Sequence, residues 1–138
     1  MKRMIVILAT ILLAGAIRAA EVKWEQDYDK ALALAKTNNK LVVVDMYTDW
    51  CGWCKKLDRD VFANADVQAK IAKGFVPVKI NPEKSEKGRQ LARQFGTRGY
   101  PHIVFLDASG KKVSEVVGYQ SAGRFSDILD DVARKSAK

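Results

Sequence analysis

Apolar residues recur along the chain with two spacings, which predict two kinds of element. Short continuous runs of aliphatic and aromatic residues, bounded by polar residues or glycine, are typical of strands buried in a sheet. These runs predict strands at 41–47, 75–80, 103–106 and 112–117. Apolar residues at intervals of three and four predict helices at 24–38, 51–62, 83–95 and 121–135, with a shorter helical segment at 67–71.

Polar residues mark the ends of several of these elements. Asn38 and Asn39 end the first helix, Asp66 is the predicted cap of the short helical segment, and Ser121 caps the last helix. The turn residues at 107–110 predict that the last two strands form a hairpin. Strands and helices that alternate in this way predict one α/β domain, with a central sheet covered by helices on both faces.

The first 20 residues have the pattern of a secretory signal peptide. A short basic start, Lys2 and Arg3, precedes an uncharged apolar stretch at 4–17, and small residues follow at Ala19 and Ala20. We expect cleavage after Ala19 or Ala20, which leaves residues 21–138 as the folded domain. A membrane anchor that is retained is the alternative, although the apolar stretch is short for a membrane span.

Charge and length give only broad information about the function of the protein. The chain has 138 residues and a formal net charge of +8, part of which lies in the predicted signal peptide. The remaining basic residues are mixed with acidic ones, so the charge does not indicate a nucleic-acid binder. A domain of this size can fold on its apolar core, so its two cysteines are not needed for stability.

The two cysteines, Cys51 and Cys54, lie directly after the first predicted strand, where a helix begins. Residues at i and i+3 of a helix face the same way, about 5–6 Å apart at Cβ, so the pair can close and reopen as a disulfide with little movement. The helix N-terminus favours a thiolate at Cys51, which we predict to be the attacking sulfur. Cys54, one turn deeper, would resolve the mixed disulfide.

Asp45 ends the apolar strand six residues before Cys51. Burial after four aliphatic residues should raise the pKa of this carboxyl group, and a raised pKa would let it take the proton from Cys54. The alternative is a structural aspartate at a strand end, hydrogen-bonded to a loop.

The segment from Val42 to Lys55 resembles the active-site strand and helix of thioredoxins, with a buried aspartate, a tryptophan before the first cysteine and both cysteines in register. The segment 95–102 resembles the part of the family that carries a cis-proline, and 117–119 resembles its last strand. Within the family, the sequence is most similar to the C-terminal domain of the thiol reductase DsbD and to small exported thioredoxin-like proteins. The resemblance implies a thioredoxin-like fold with a central mixed sheet.

The resemblance also implies roles for individual residues. Pro101 would be cis and lie against the cysteines, in a substrate-docking surface with Trp50, Trp53 and Tyr100. Lys79 would contact Asp45 and lower its pKa, so the net shift for that carboxyl group stays open. Trp53 stands where thioredoxins have a proline that tunes the redox potential, so their potential does not transfer. His102, the only histidine, is interpreted as a packed or surface residue rather than a proton donor.

We therefore predict an exported, periplasmic thiol–disulfide oxidoreductase that reduces protein disulfides or relays electrons. Oxidation or isomerisation of disulfides is the first alternative, and a metal-binding module that uses both thiolates is the second. We expect no cofactor, no metal and no nucleic-acid partner, and we expect a monomer. Protein thiols and disulfides are the expected partners, with a membrane electron donor as a further candidate.

Overall fold

The structure is a computed structural model that describes residues 21–138, so the predicted signal peptide lies outside the described residues. Four strands form one mixed sheet in the order β2-β1-β3-β4, with β1 parallel to β2 and antiparallel to β3, and β3 antiparallel to β4. The elements in chain order are α1 (Tyr28–Asn38), β1 (Leu41–Met46), α2 (Gly52–Leu57), a π-helical segment (Asp58–Phe62), α3 (Ala65–Gly74), β2 (Phe75–Ile80), α4 (Glu86–Phe95), β3 (His102–Leu106), β4 (Lys112–Val117) and α5 (Ala122–Ser136).

Helices cover both faces of the sheet, as the alternation of elements predicted. Val42 and Val44 of β1 pack with α1 and α4, whereas Val43 packs on the opposite face with α2, α3 and α5. Every residue from Val42 to Met46 is buried, which explains why β1 reads as a continuous apolar run. The prediction of an α/β fold with a covered mixed sheet is confirmed. No helix within residues 21–138 is long and apolar enough to cross a membrane.

The first helix begins at Tyr28 rather than at Trp24. The Asp27 side chain caps it by accepting from the Lys30 backbone N–H at 3.1 Å. Before the cap, the Glu25 backbone pairs with the free edge of β2: its N–H donates to the Pro77 carbonyl and its carbonyl accepts from the Lys79 N–H, each at 2.9 Å. Helical spacing at 24–28 was therefore misleading, because this segment is extended against the sheet.

The predicted helix at 51–62 is correct in extent but changes its winding. After Leu57 it continues as the π-helical segment Asp58–Phe62, a wider coil that is frequent at functional sites. This segment brings both Asp58 and Phe62 against Lys79.

Two predicted helix starts differ from the structure. Asn64, not Asp66, caps α3, because its side chain accepts from the backbone N–H groups of both Asp66 and Val67. Helix α4 begins at Glu86 rather than at residue 83. Ser85 caps this start, because its side chain accepts from the Gly88 N–H at 2.9 Å. In both places a short polar side chain on an extended residue satisfies the first free N–H groups of the helix.

Candidate active site

Cys51 is the N-cap residue of α2, and it is bonded to Cys54 in a disulfide. The Cα atoms of the two cysteines are 5.3 Å apart. The Cys51 Sγ accepts from the backbone N–H of Cys54 at 3.1 Å. When the disulfide opens, the same N–H group lies where it would stabilise a thiolate at Cys51.

Both cysteine residues are buried, and Cys54 is only slightly more buried than Cys51. Cys51 is 5% exposed and Cys54 is 2% exposed. The helix N-cap position, rather than solvent exposure, therefore distinguishes the two residues. Trp50 and Trp53, which directly precede the two cysteines in the sequence, are by contrast 67% and 59% exposed.

Asp45 is fully buried and lies opposite Lys79 in the pairing of β1 with β2. The Lys79 Nζ donates to the Asp45 Oδ2 at 2.8 Å, while the Asp45 Oδ1 has no hydrogen-bond partner. Burial raises the pKa of the Asp45 carboxyl group, and the attraction of Lys79 offsets this effect only in part. The question left open by the sequence is thus answered in favour of burial. The hydrogen-bond partner of Asp45 among the described residues is Lys79 of β2 rather than a loop residue, and the choice between a structural and a catalytic role stays a prediction.

Lys79 is surrounded by two carboxylates and three aromatic rings. Its Nζ lies 2.5 Å from the Asp58 Oδ1 and 2.8 Å from the Asp45 Oδ2. Burial alone would lower the pKa of Lys79, but the two carboxylates more than compensate, so the pKa is raised. The rings, whose centroids lie 4.9–5.4 Å from the Nζ, belong to Trp24, Tyr47 and Phe62.

Asp58 was missed by the sequence interpretation, although a signal was present. It lies four residues after Cys54, and residues at this spacing share one face of a helix. A cleft of about 170 Å³ opens beside Asp58 and Lys79, with Trp24 and Phe62 also in its lining. Asp58 therefore connects the buried Asp45–Lys79 pair with the protein surface.

Two aromatic pairs flank the disulfide. Trp50 packs edge-on against Tyr100 with ring centroids 6.0 Å apart, and its Nε1 donates to the Glu83 Oε1 at 2.9 Å. Trp53 packs against Tyr119 with centroids 5.5 Å apart. Sequence reasoning placed Trp50, Trp53 and Tyr100 on this surface but missed Glu83 and Tyr119, since nothing in their local sequence marks them.

Pro101 precedes β3, and the Tyr100–Pro101 peptide bond is cis, as the resemblance implied. The pairing of β3 with β1 sets His102 opposite Met46, the last residue of β1. Pro101 therefore lies just beyond the end of β1. The Pro101 carbonyl accepts from the Gly118 N–H at 2.8 Å.

Three features of the site define the class of this protein: a disulfide at a helix N-cap, a buried carboxylate at the end of the preceding strand, and a cis-proline. The class is that of the thiol–disulfide oxidoreductases with a mixed sheet. A model of the thioredoxin-like domain matches residues 28–133, and the chain belongs to this family. The thiol:disulfide interchange protein DsbD of Klebsiella pneumoniae is 36% identical over 108 residues, which are 76% of this chain and 18% of the relative. The chain therefore spans about a fifth of such relatives.

Further relatives extend this comparison. The chloroplastic thioredoxin-like protein HCF164 of Arabidopsis thaliana is 37% identical over 91 residues, which are 66% of this chain and 32% of the relative. The solution structure of a thioredoxin from Thermus thermophilus has a TM-score of 0.76 at 25% identity, covering 83% of this chain and 89% of that one. The oxidised C-terminal domain of Neisseria meningitidis DsbD shares the fold, with a TM-score of 0.63 at 20% identity and coverage of 79% and 98%.

Proposed function

We propose that the protein is a reductant or electron carrier for protein disulfides outside the cytoplasm. The disulfide held at the N-cap of α2, with the Cys54 N–H on the Cys51 Sγ, is the observation that carries the proposal. The similarity to DsbD supports the reducing direction. So does the sequence between the cysteines, Gly52-Trp53, which lacks the histidine of several oxidising members of the family.

In this proposal the dithiol form of the protein transfers two electrons to its substrate. The Cys51 thiolate attacks one sulfur of a substrate disulfide, and the other substrate sulfur leaves and takes up a proton. The Cys54 thiol then loses its proton and attacks the Cys51 Sγ. This second step releases the other substrate thiol and restores the Cys51–Cys54 disulfide. A separate thiol donor, for which a membrane protein is a candidate, must reduce the disulfide again.

Asp45 is the proposed acceptor of the Cys54 proton. Its raised pKa makes the carboxyl group a better base than an exposed aspartate, and it has one oxygen without a partner. Lys79 is the proposed support, because it holds the other oxygen and remains charged between Asp45 and Asp58. The exposed indoles of Trp50 and Trp53, with Tyr100 and Pro101, form the proposed surface on which a substrate segment docks.

Export is part of the proposal and rests on the sequence of residues 1–20, together with the similarity to DsbD. The mass of the mature protein, isolated from its own cells, tests this part. A mass that corresponds to a polypeptide starting at Ala20 or Glu21 supports a cleaved signal peptide, whereas the mass of the full chain contradicts it.

The reduction potential of the Cys51–Cys54 pair, equilibrated against glutathione, tests the direction of electron flow. We expect a value well below that of strong oxidants. A value near about −120 mV, where strong oxidants lie, would overturn the reductase assignment. In parallel, insulin reduction should be lost in Cys51→Ser, and activity that survives this substitution would contradict the role of Cys51.

A further inference from the structure

His102 directly follows Pro101, and it is fully buried with both ring nitrogens engaged. Its Nδ1 lies 2.9 Å from the Thr97 Oγ1, and its Nε2 lies 2.8 Å from the Glu115 Oε2. Thr97 belongs to the loop before Pro101, and Glu115 belongs to β4. One imidazole thus connects the loop, β3 and β4 at the residue next to Pro101.

The hydrogen bond between His102 and Thr97 joins the two ends of the loop 97–101. At its start, Thr97 follows the left-handed Gly96 that ends α4, and the Thr97 N–H donates to the Ala92 carbonyl at 2.8 Å. At its end, the Pro101 carbonyl accepts from the Gly118 N–H. The loop that carries Tyr100 is therefore fixed at both ends, and the imidazole joins the two ends through side chains.

The two hydrogen bonds of His102, to Thr97 and to Glu115, form a clamp that holds whether or not the histidine is protonated. The Glu115 carboxylate accepts from the Nε2–H in either state, and the hydrogen bond from His102, with Lys112 at 3.1 Å, lowers the pKa of Glu115. The Thr97 hydroxyl can donate to a neutral Nδ1 or accept from a protonated one. No charged group besides Glu115 makes a hydrogen bond or ion pair with the ring among residues 21–138.

We propose that His102 is a positioning residue for substrate docking, which holds the Tyr100–Pro101 segment in the geometry that receives an extended substrate backbone. The inference rests on the proposed disulfide exchange and deepens it. A loop that is ordered before binding does not have to be ordered by the substrate, so the clamp strengthens docking without touching the sulfurs.

The test uses Thr97→Val, which removes the hydroxyl from the loop and leaves the buried ring in place. Thr37→Val, an equivalent change on the exposed side of α1, is the matched control. We expect Thr97→Val to raise the KM for insulin by about three- to tenfold, the effect of losing one hydrogen bond, with kcat within about twofold. The rate with the small disulfide 5,5′-dithiobis(2-nitrobenzoate) and the reduction potential should stay unchanged.

A rescue experiment separates positioning from simple stability. In His102→Asn, the side-chain amide occupies the place of Nδ1 and can still bond Thr97, whereas His102→Leu loses both contacts. We expect the KM of His102→Asn to stay closer to that of the wild type than the KM of His102→Leu. Thr97→Val needs no change in the core, so it remains a valid test if His102→Leu does not fold.

Two results would overturn the inference. One is a KM of Thr97→Val within twofold of the Thr37→Val value, and the other is an equal loss of rate with the small disulfide, which would place the effect at the cysteines. The wild-type protein in the same assay tests the proposed function separately. If it does not reduce insulin at all, the proposed function fails, and this inference fails with it.

Discussion

The buried Asp45–Lys79 pair predicts that its two members respond to substitution in opposite directions. Asp45 is fully buried, whereas Lys79 is 20% exposed at its side chain and has Asp58 as a second partner. Removing the carboxylate leaves a lysine that is still paired and partly solvated. Removing the lysine leaves a carboxylate with neither water nor a counter-ion.

The magnitudes follow from the geometry. At the 2.8 Å separation, an effective dielectric constant of 20 gives an attraction of roughly 6 kcal/mol. The raised pKa of Asp45 shows that the cost of burying its charge exceeds what Lys79 returns. Asp45→Asn should therefore stabilise the oxidised protein at pH 7, by about 1.4 kcal/mol for each unit by which burial raises the pKa of Asp45. Lys79→Met should destabilise it by about 3–5 kcal/mol, because it removes one partner of a buried pair.

Urea unfolding of the oxidised protein between pH 4 and pH 8 measures both effects. Asp29→Asn, which breaks an exposed pair with Lys87, is the control and should leave the free energy of unfolding close to the wild-type value. The folded protein keeps the Asp45 proton to higher pH than the unfolded chain does. The wild type therefore loses stability as the pH rises through the folded pKa of Asp45, and Asn at this position does not.

The gain in Asp45→Asn should consequently vanish below the ordinary aspartate pKa of 3.8, where both states of the wild type are protonated. The cost of Lys79→Met should shrink at low pH for the same reason. A loss of more than about 1 kcal/mol in Asp45→Asn at pH 7 would refute the reasoning, because it would mean that the pair stabilises the fold more than burial of the charge costs.

Three further predictions concern the helices and the exchange reaction. Asn64→Ala should cost about 1 kcal/mol in urea unfolding, because the cap of α3 is lost. Gly88→Ala should lower stability by about 1–3 kcal/mol, since a Cβ there would lie 2.9 Å from the Asn81 carbonyl oxygen; Gly123→Ala in α5, which meets no atom within 4 Å, should not. Cys54→Ala should accumulate mixed disulfides through Cys51 that survive non-reducing electrophoresis, and their absence in cells that express the variant would contradict the proposed order of attack.

The sheet was predictable because its signal is local. The aliphatic run of β1 and the hairpin turn at 107–110 can be read from a few neighbouring residues, and both lie where they were expected. The start of α1 could not be read in this way. Trp24 fits helical spacing, but the partner that extends the segment, β2, lies about 50 residues further along the chain.

The centre of the site was also predictable, although its surroundings were not. Cys51, Cys54 and Asp45 follow from the strand-to-helix junction, and Lys79 followed from the resemblance and lies in register with Asp45. Asp58 lies one helical turn after Cys54, but its partner Lys79 is 21 residues further along the chain, so local periodicity could not show this ion pair. The roles of these residues in the reaction remain predictions.

The pairing of Glu25 with β2 bears on how the sheet meets other chains. An unpaired edge strand is a template for aggregation, and β2 is protected twice: Pro77 has no N–H to offer, and the Glu25 backbone already occupies the neighbouring positions. The opposite edge, β4, has no such cover among residues 21–138, but it carries the charged Lys112 and Glu115 beside its exposed valines, Val113 and Val117. Loss of solubility on partial unfolding of the N-terminal segment should therefore begin at β2, the edge that becomes bare when Glu25 detaches.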